Sequence, residues 1–335
     1  MRLLLLGGTE FVGRAVAEAA LAQGWDVTVF HRGRHAPVAG VRSLHGDRTA
    51  PDGLTALADG GPWDLVVDTW SAAPRAVRDA ARLLRDRAER YTYVSSCSVY
   101  TWPQPAGYTE EAPVVEGASA DADATDYARD KRGGELAVLD AFGTDRSLLV
   151  RAGLILGPYE NIGRLPWWLG RIARGGRVLA PGPRDLPLQY VDVRDLAQWT
   201  LSAADAGLAG AYNLVSPRGH TTMGELLDAC VTVTGSTAEL CWTDPDTVLA
   251  AGIAPWTGLP VWVPPDTDLH TSLHEGDTSR ATAAGLRCRP VTETVADTWK
   301  WLLEIGGVAP QRPDRPVVGI DEETEAKALA AGQRD

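Results

Sequence analysis

Lysine is the rarest charge in this chain: Lys131, Lys300 and Lys327 are the only three in 335 residues, and acids outnumber bases to leave a formal net charge of -12 at pH 7. A chain so acidic lacks the basic face that a phosphate backbone requires, so no nucleic-acid partner is expected. Sulfur is also sparse. The four cysteines, Cys97, Cys230, Cys241 and Cys288, contain no Cys-x-x-Cys pair, which argues against a disulfide framework or a thiolate zinc site and fits a reducing cytoplasm. Long apolar runs are missing too. The longest early one, Leu3 to Leu6, stops at once in glycines, so neither a membrane span nor a cleavable signal is read, and a soluble cytoplasmic protein with no membrane partner is expected. The length suits two domains, or one domain with a lobe.

What is present begins at the N-terminus. Arg2 to Leu6 reads as a strand buried on both faces, as a central parallel strand must be, and it runs into Gly7-Gly8-Thr9-Glu10-Phe11-Val12-Gly13. Glycines there let the backbone turn tightly and approach a pyrophosphate at a helix N-terminus, the design of a dinucleotide cradle. Gly7 and Gly13 stand at the first and seventh positions of the pattern, while the middle position carries Glu10 instead of glycine. Phe11 to Ala22 has helical spacing, Gly24 ends it, and Trp25 to Phe30 alternates as a strand. His31, Arg32 and Arg34 follow, where an acid normally receives the ribose hydroxyls of NAD. Guanidinium groups at that point suit a 2′-phosphate, so NADP is narrowly favoured over NAD, although Glu10 would repel a 2′-phosphate unless Arg32 pairs with it.

The alternation continues with a short strand at Gly40 to Leu44, a helical stretch near Leu54 to Leu57, a buried strand at Trp63 to Asp68, an Arg-rich amphipathic helix over Ala72 to Ala88, and a fifth strand at Tyr91 to Ser95. Asp47, after the third strand, is placed to accept from an adenine amino group. This order predicts an α/β fold with a doubly wound parallel Rossmann sheet and a smaller C-terminal substrate lobe. Pro103 to Asp123 reads as a long surface excursion or lid.

Two further groups carry chemistry. Ser95-Ser96-Cys97-Ser98-Val99-Tyr100 puts hydroxyls beyond the carboxyl end of the fifth strand, where open parallel sheets hold ligands. Tyr127 and Lys131 are four apart near a helix start, so they share a face and the ammonium can lower the phenol pKa. Together with the glycine loop, these motifs resemble, in order and spacing, the extended short-chain dehydrogenase/reductase family, over most of the chain. Arg151 to Pro158, Tyr190 to Ala197, Tyr212 to Leu214, the helix from Thr222 and a closing helix at Pro290 to Glu304 resemble later segments of that family. The charged middle residue of the glycine loop is similar to its atypical branch, which includes RNA-binding chloroplast proteins.

The resemblance implies that Tyr127 is the general acid/base at a carbonyl or carbinol oxygen, that Ser96 hydrogen-bonds the same oxygen, and that Lys131 holds the nicotinamide ribose and activates Tyr127. It implies cofactor contacts at Gly7, Thr9, Glu10, Phe11, Val12, Gly13, Arg32, Asp47 and Lys131. Sugar-nucleotide members carry an Asn and an Arg at places that fall here on Leu154 and Leu188, which removes two polar anchors and lowers the weight of a nucleotide-sugar epimerase or dehydratase. Trp102, Trp167, Trp168, Trp242, Trp256 and Trp262 lie in lid and lobe segments and suggest an aromatic wall, with Cys97, Ser98 and Leu154 also on the substrate side. The leading expectation is an NAD(P)-dependent reductase or dehydrogenase of a small, largely apolar carbonyl or alcohol. The alternatives are the epimerase/dehydratase and a non-catalytic cofactor-binding or RNA-associated protein. His270 and His274 have a metal-compatible spacing but sit in what reads as a lobe element, so no metal is expected. The expected division is residues 1–155 as Rossmann core with return segments near 186–215, 156–185 and 216–309 as substrate lobe, and 310–335 as a C-terminal arm and helix. The family's habit also suggests a homodimer through the helices at Ala72 to Ala88 and Asp126 to Phe142.

Overall fold

The computed structural model describes residues 1–122, 126–313 and 315–332, so Asp123 at the end of the surface excursion and residues 314 and 333–335 of the C-terminal arm lie outside the described residues. Its centre is a parallel sheet of β1 (Arg2–Leu6), β2 (Asp26–His31), β3 (Arg42–His45), β4 (Trp63–Asp68), β5 (Ala88–Ser96), β6 (Ser147–Ala152) and β7 (Gly210–Leu214) in the order β7-β6-β5-β4-β1-β2-β3. The four leucines of β1 show why such a strand must be apolar throughout. Leu3 and Leu5 pack into the core on one side of the sheet with Val16, Ala20 and Leu196, while Leu4 and Leu6 pack into the core on the other with Val77, Ala80 and Tyr93. β1 is paired on both edges, Leu3 standing opposite Val27 and Leu65.

The helices that matter here run, in chain order, α1 (Phe11–Ala22), α2 (Arg75–Leu84), α3 (Tyr127–Phe142), α4 (Arg164–Ala173), α5 (Val193–Asp205), α6 (Met223–Thr234), α7 (Val291–Glu304) and α8 (Glu322–Ala331). α1 packs on α5 over one face of the sheet and α2 on α3 over the other. The helix read over Ala72 to Ala88 is shorter than that at both ends. It starts after Pro74 and stops at Leu84, because Ala88 is taken into β5 opposite Trp63, where sheet pairing outweighs the helical preference of the Ala- and Arg-rich run. The strand read at Gly40 to Leu44 likewise shifts to Arg42–His45, beside β2.

A third core gathers the rest into a lobe. Trp168, Leu169 and Ile172 of α4 meet Leu226 and Leu227 of α6, Val295 and Leu302 of α7, Ala328 of α8 and Trp262. A parallel strand pair, Arg177–Pro181 with Glu239–Thr243, closes it. Going along the sheet, the strand sequence runs one way from β1 to β3 and the other way from β4 to β7. That reversal opens a crevice beyond the carboxyl ends of β1 and β4, into which the glycine loop projects.

Candidate functional site

The loop between β1 and α1 admits little besides glycine at two positions. Gly7 has φ +100°, and a Cβ there would lie 2.4 Å from the Thr69 hydroxyl after β4; at Gly13 a Cβ would lie 2.5 Å from the backbone nitrogen of Gly8. The loop therefore folds back against the first turn of α1, and Phe11 enters that helix at φ +33°, a costly value for a side chain with a Cβ. Glu10 is the N-cap of α1 but its side chain caps nothing, which leaves the first-turn amides facing the crevice without a side-chain acceptor. Phe11 and Val12 turn inward against the sheet core, Thr9 is half-buried, and Glu10 is exposed. A cradle this tight, with free amides at a helix N-terminus, fits a dinucleotide pyrophosphate.

The adenosine side is charged in both senses. Arg32 is exposed at the end of β2 and Asp47 half-buried at the end of β3. Asp47 accepts from the Thr49 amide and hydroxyl, at 3.0 and 2.7 Å, and these bonds, with the charges of Arg32 and Arg34, hold its carboxyl below the usual range. Glu10 does not take Arg32 as its partner. It accepts from Asn161 at 3.2 Å and lies 3.6 Å from the His35 imidazole.

At the carboxyl end of β5, Ser96 is buried, accepts from the Ser98 amide and shares a 3.1 Å hydrogen bond with the Ser98 hydroxyl. Cys97 is turned away, its thiol donating to the Arg151 carbonyl and its pKa pushed up to about 12 by burial, so it is no nucleophile. α3 begins where Asp126 caps it, accepting from the Arg129 amide at 2.9 Å. Tyr127 is thereby set at the first turn, 37% exposed. Burial pushes its phenol pKa up, while the nearby Ser96 side chain and the charges of Arg315 and Arg164 pull it back.

Lys131 stands one turn further along the same face but is directed inward. Its ammonium donates to the carbonyls of Trp70 and Val94, both at 2.6 Å, and lies 4.8 Å over the Tyr93 ring. Burial lowers its pKa to about 7, against the attraction of Asp68 and Glu135. The cations that bear on the phenol are thus Arg315 and Arg164, not the lysine that helical spacing puts beside it. The reason is local: the carbonyls of β5 and of the turn after β4 accept where the lysine stem reaches.

Beneath the site lie two buried ion pairs. Asp68 accepts from both terminal nitrogens of Arg48 at 2.7 Å, from the Tyr91 hydroxyl at 2.6 Å and from the Trp70 amide. Glu135 accepts from Arg151, Arg132 and Ser95. Both fix the ends of β4, β5 and β6 rather than face a ligand.

On the substrate side, Leu154 and Leu188 are buried, and Leu188 pairs with Thr221. The aromatic wall is dispersed. Trp168 and Trp262 are fully buried, with indole nitrogens donating to Pro260 and Gly182, and form lobe core instead of lining. Trp242 and Trp256 are half-buried against the same core, Trp102 is 56% exposed, and Trp167 stacks edge-on against Trp168. Large rings at a lobe with few phenylalanines are needed for volume, which is why spacing alone suggested a wall. His274 accepts from the Gln189 amide and is lowered to about 3 by burial, so it serves the lobe's hydrogen bonding.

Composition pointed to none of the residues that meet Tyr127 from afar. Arg315, from the chain after α7, lies with its guanidinium 5.0 Å over the Tyr127 ring. Only its place in a proline-rich tail was visible in the sequence.

Residues 3–214 match the NAD dependent epimerase/dehydratase family. A search of curated proteins finds no match. Among solved structures, the fold is similar to the Bordetella bronchiseptica enzyme WbmH in complex with NAD+, at 19% identity over 92% of this chain and 99% of that one with a TM-score of 0.66. It is similar to WbmG of the same organism, solved with NAD and UDP, at 18% identity over 95% and 99% with a TM-score of 0.62. It is also similar to the UDP-glucuronic acid 4-epimerase from Bacillus cereus in complex with NAD, at 13% identity over 91% and 99% with a TM-score of 0.63. With the match extending over most of the sheet and its site, this chain belongs to the NAD-dependent epimerase/dehydratase family.

Proposed function

We propose that the protein is an NAD-dependent epimerase or dehydratase that oxidises a carbinol of its substrate transiently and returns the electrons before release. The observation that carries this reading is that the first turn of α3, which bears Tyr127, packs beside the turn that follows Ser96 at the carboxyl end of β5, next to the crevice that holds the glycine loop. Gly7, Thr9, Phe11, Val12 and Gly13 would hold the pyrophosphate and Arg32 and Asp47 the adenosine, while Lys131 would reach the nicotinamide ribose only by giving up its bond to the Trp70 or Val94 carbonyl; the cofactor supplies reversible hydride transfer. Of the two forms, NAD is assigned: the neighbouring structures carry it, Arg32 and Arg34 share their charge with Asp47, and Glu10 adds a further carboxylate on that side.

The chain's own contribution is proton handling. Tyr127 takes the proton of a carbinol oxygen as the carbon is oxidised and gives it back on reduction, while the Ser96 hydroxyl donates to the same oxygen. A phenol is too weak a base at neutral pH unless cations favour its phenoxide. Ser96, Arg315 and Arg164 act in that direction here, against the burial that raises the phenol pKa overall. The family and neighbours solved with UDP or named for UDP-sugars support a nucleotide sugar as the first candidate substrate.

A second reading is favoured by one observation. Leu154 and Leu188 are buried apolar residues where sugar-nucleotide members carry polar anchors, which suits a reductase or dehydrogenase of a small, less polar carbonyl or alcohol. Tyr127→Phe tests both at once: turnover should fall about 100- to 10,000-fold with NAD binding intact, and full retention of turnover would remove Tyr127 from the mechanism. Epimerisation of a UDP-sugar without net NADH production separates the first reading from the second.

A further inference from the structure

The chain after α7 returns across the mouth of the site. At Gly163, the residue before α4, an added Cβ would lie 2.7 Å from the Pro310 carbonyl and 2.3 Å from the Gln311 side chain, and at Gly319 it would lie 2.0 Å from the Trp167 indole nitrogen. Gln311 accepts from the Val318 amide and the Gly319 amide donates to the Thr257 carbonyl at 2.7 Å. α8 then anchors the far end through Glu325, which accepts from Arg171 at 2.6 Å and from the Leu179 amide at 3.0 Å. The arm is therefore clamped at both ends and holds Arg315 between the clamps, over Tyr127.

The guanidinium is under-satisfied there. Its buried Nε has no hydrogen-bond partner, and Arg315 makes no ion pair among the described residues. Arg164, at the start of α4 and close enough for its charge to reach both Tyr127 and Arg315, also has a buried Nε without a partner; among the described residues its only acid is Glu160, at 3.9 Å. Two guanidinium groups bear on one phenol, and Glu160, 3.9 Å from Arg164 and already accepting from the Arg164 and Leu165 amides, pairs with Arg164 alone among the described residues, so positive charge is left uncompensated.

We infer that Arg315, with Arg164 behind it, forms an anion subsite that the C-terminal arm delivers to the active site, and that the substrate carries a carboxylate or phosphate close to the carbon on which Tyr127 acts. The inference rests on the proposed role of Tyr127, and it narrows the substrate from any carbinol to an acidic one. A bidentate guanidinium contact would orient the carbinol oxygen toward Tyr127 and Ser96 and would favour the acidic member of any matched pair.

The test has a binding arm and a turnover arm, using the full-length protein loaded with NAD. Calorimetric titration with malonate and with inorganic phosphate should show binding that weakens about tenfold or more in Arg315→Gln and recovers in part in Arg315→Lys. NAD affinity and the melting temperature should stay at wild-type values. In turnover, UDP-glucuronic acid against UDP-glucose, and a small hydroxy acid against its amide, separate a sugar acid from a free one. The wild type should prefer the acidic member of one pair, and Arg315→Gln should erase that preference by a KM rise confined to the acidic member, while any fall in kcat from losing a cation beside Tyr127 is shared by both members. Equal binding of both anions by wild type and Arg315→Gln overturns the inference, as does a rise in turnover of acidic and neutral substrates alike, which would make the arm only a cover. Failure of the wild type to bind NAD would overturn the functional reading separately, while the anion titration would still decide the subsite.

Discussion

The sheet and the lobe are held together by different means. Across the sheet, seven strands pair in one direction and each of Leu3 to Leu6 repeats the same job on alternate faces. The lobe has only a five-residue strand pair of its own and several two-residue bridges, so it relies on single long-range contacts. Trp168 reaches Pro260, Gln189 bridges Ser216 and Gly276, and Arg171 reaches Glu325. Backbone strain is heavier on the lobe side, where Tyr159, Trp256, Val261 and Asp266 take left-handed φ values, against Phe11 and Asp52 on the sheet side. Regular pairing spreads stability over many equivalent bonds, whereas the lobe concentrates it in few, and a few residues there decide whether the substrate face exists.

The largest expected effect is at one of those contacts. Glu325→Ala leaves Arg171 buried without its carboxylate and the Leu179 amide without an acceptor, a loss of about 3–5 kcal/mol for an uncompensated buried charge. Tryptophan emission, most of it from the lobe, should then report an earlier melt, and the arm that carries Arg315 should come free with α8. An unchanged melting temperature would break the contrast between the two regions.

How much was legible before the structure follows the same line. The succession of strands and helices along the chain, the glycine loop and the start of α3 depend on patterns within ten or so neighbouring residues, and the parallel sheet they implied is the one observed. The ends of α2 were not legible, because β5 claims Ala88 through a partner strand that no local pattern names. Nor was the environment of Tyr127. Helical spacing put Lys131 on its face, but the carbonyls of Trp70 and Val94 claim the ammonium, and the residue that stacks on the phenol comes from 188 positions later. Tryptophans read as a pocket wall became core for a similar reason: side-chain type does not say which neighbour fills the space beside it.

Lys131 offers a smaller and directional test of the sheet side. Its pKa is lowered to about 7 from the ordinary 10.5 by burial, with Asp68 and Glu135 opposing and Arg315 and Arg48 assisting. Between those values the unfolded chain holds more protons than the folded one, so this group's contribution to stability rises with pH, and its penalty is complete below about pH 7. Relative to Lys131→Met, the wild type should therefore gain roughly 2–3 kcal/mol between about pH 7 and about pH 9 in urea unfolding. A difference that stays flat with pH would mean that the ammonium is not desolvated, and the sheet side would then lose a buried cation held by carbonyls instead of a carboxylate.

The smallest effect sits where the two regions touch. Glu10 belongs to the glycine loop of the sheet, yet one of its partners, Asn161, lies just before α4 of the lobe, and the other, His35, follows β2. All three are on the surface side of the crevice, so the carboxylate acts through charge in water more than through packing, at a scale of about 1 kcal/mol or less. Glu10→Gly keeps an acceptable N-cap residue for α1 and removes a negative charge from the ribose side, where Arg32 and Arg34 remain. Affinity for NADP relative to NAD should rise roughly fivefold, the equivalent of about 1 kcal/mol, while turnover at saturating cofactor changes by less than about twofold. A preference that does not move would show that the loop's odd residue serves the contact between sheet and lobe through Asn161, and that cofactor choice is made entirely at the ends of β2 and β3.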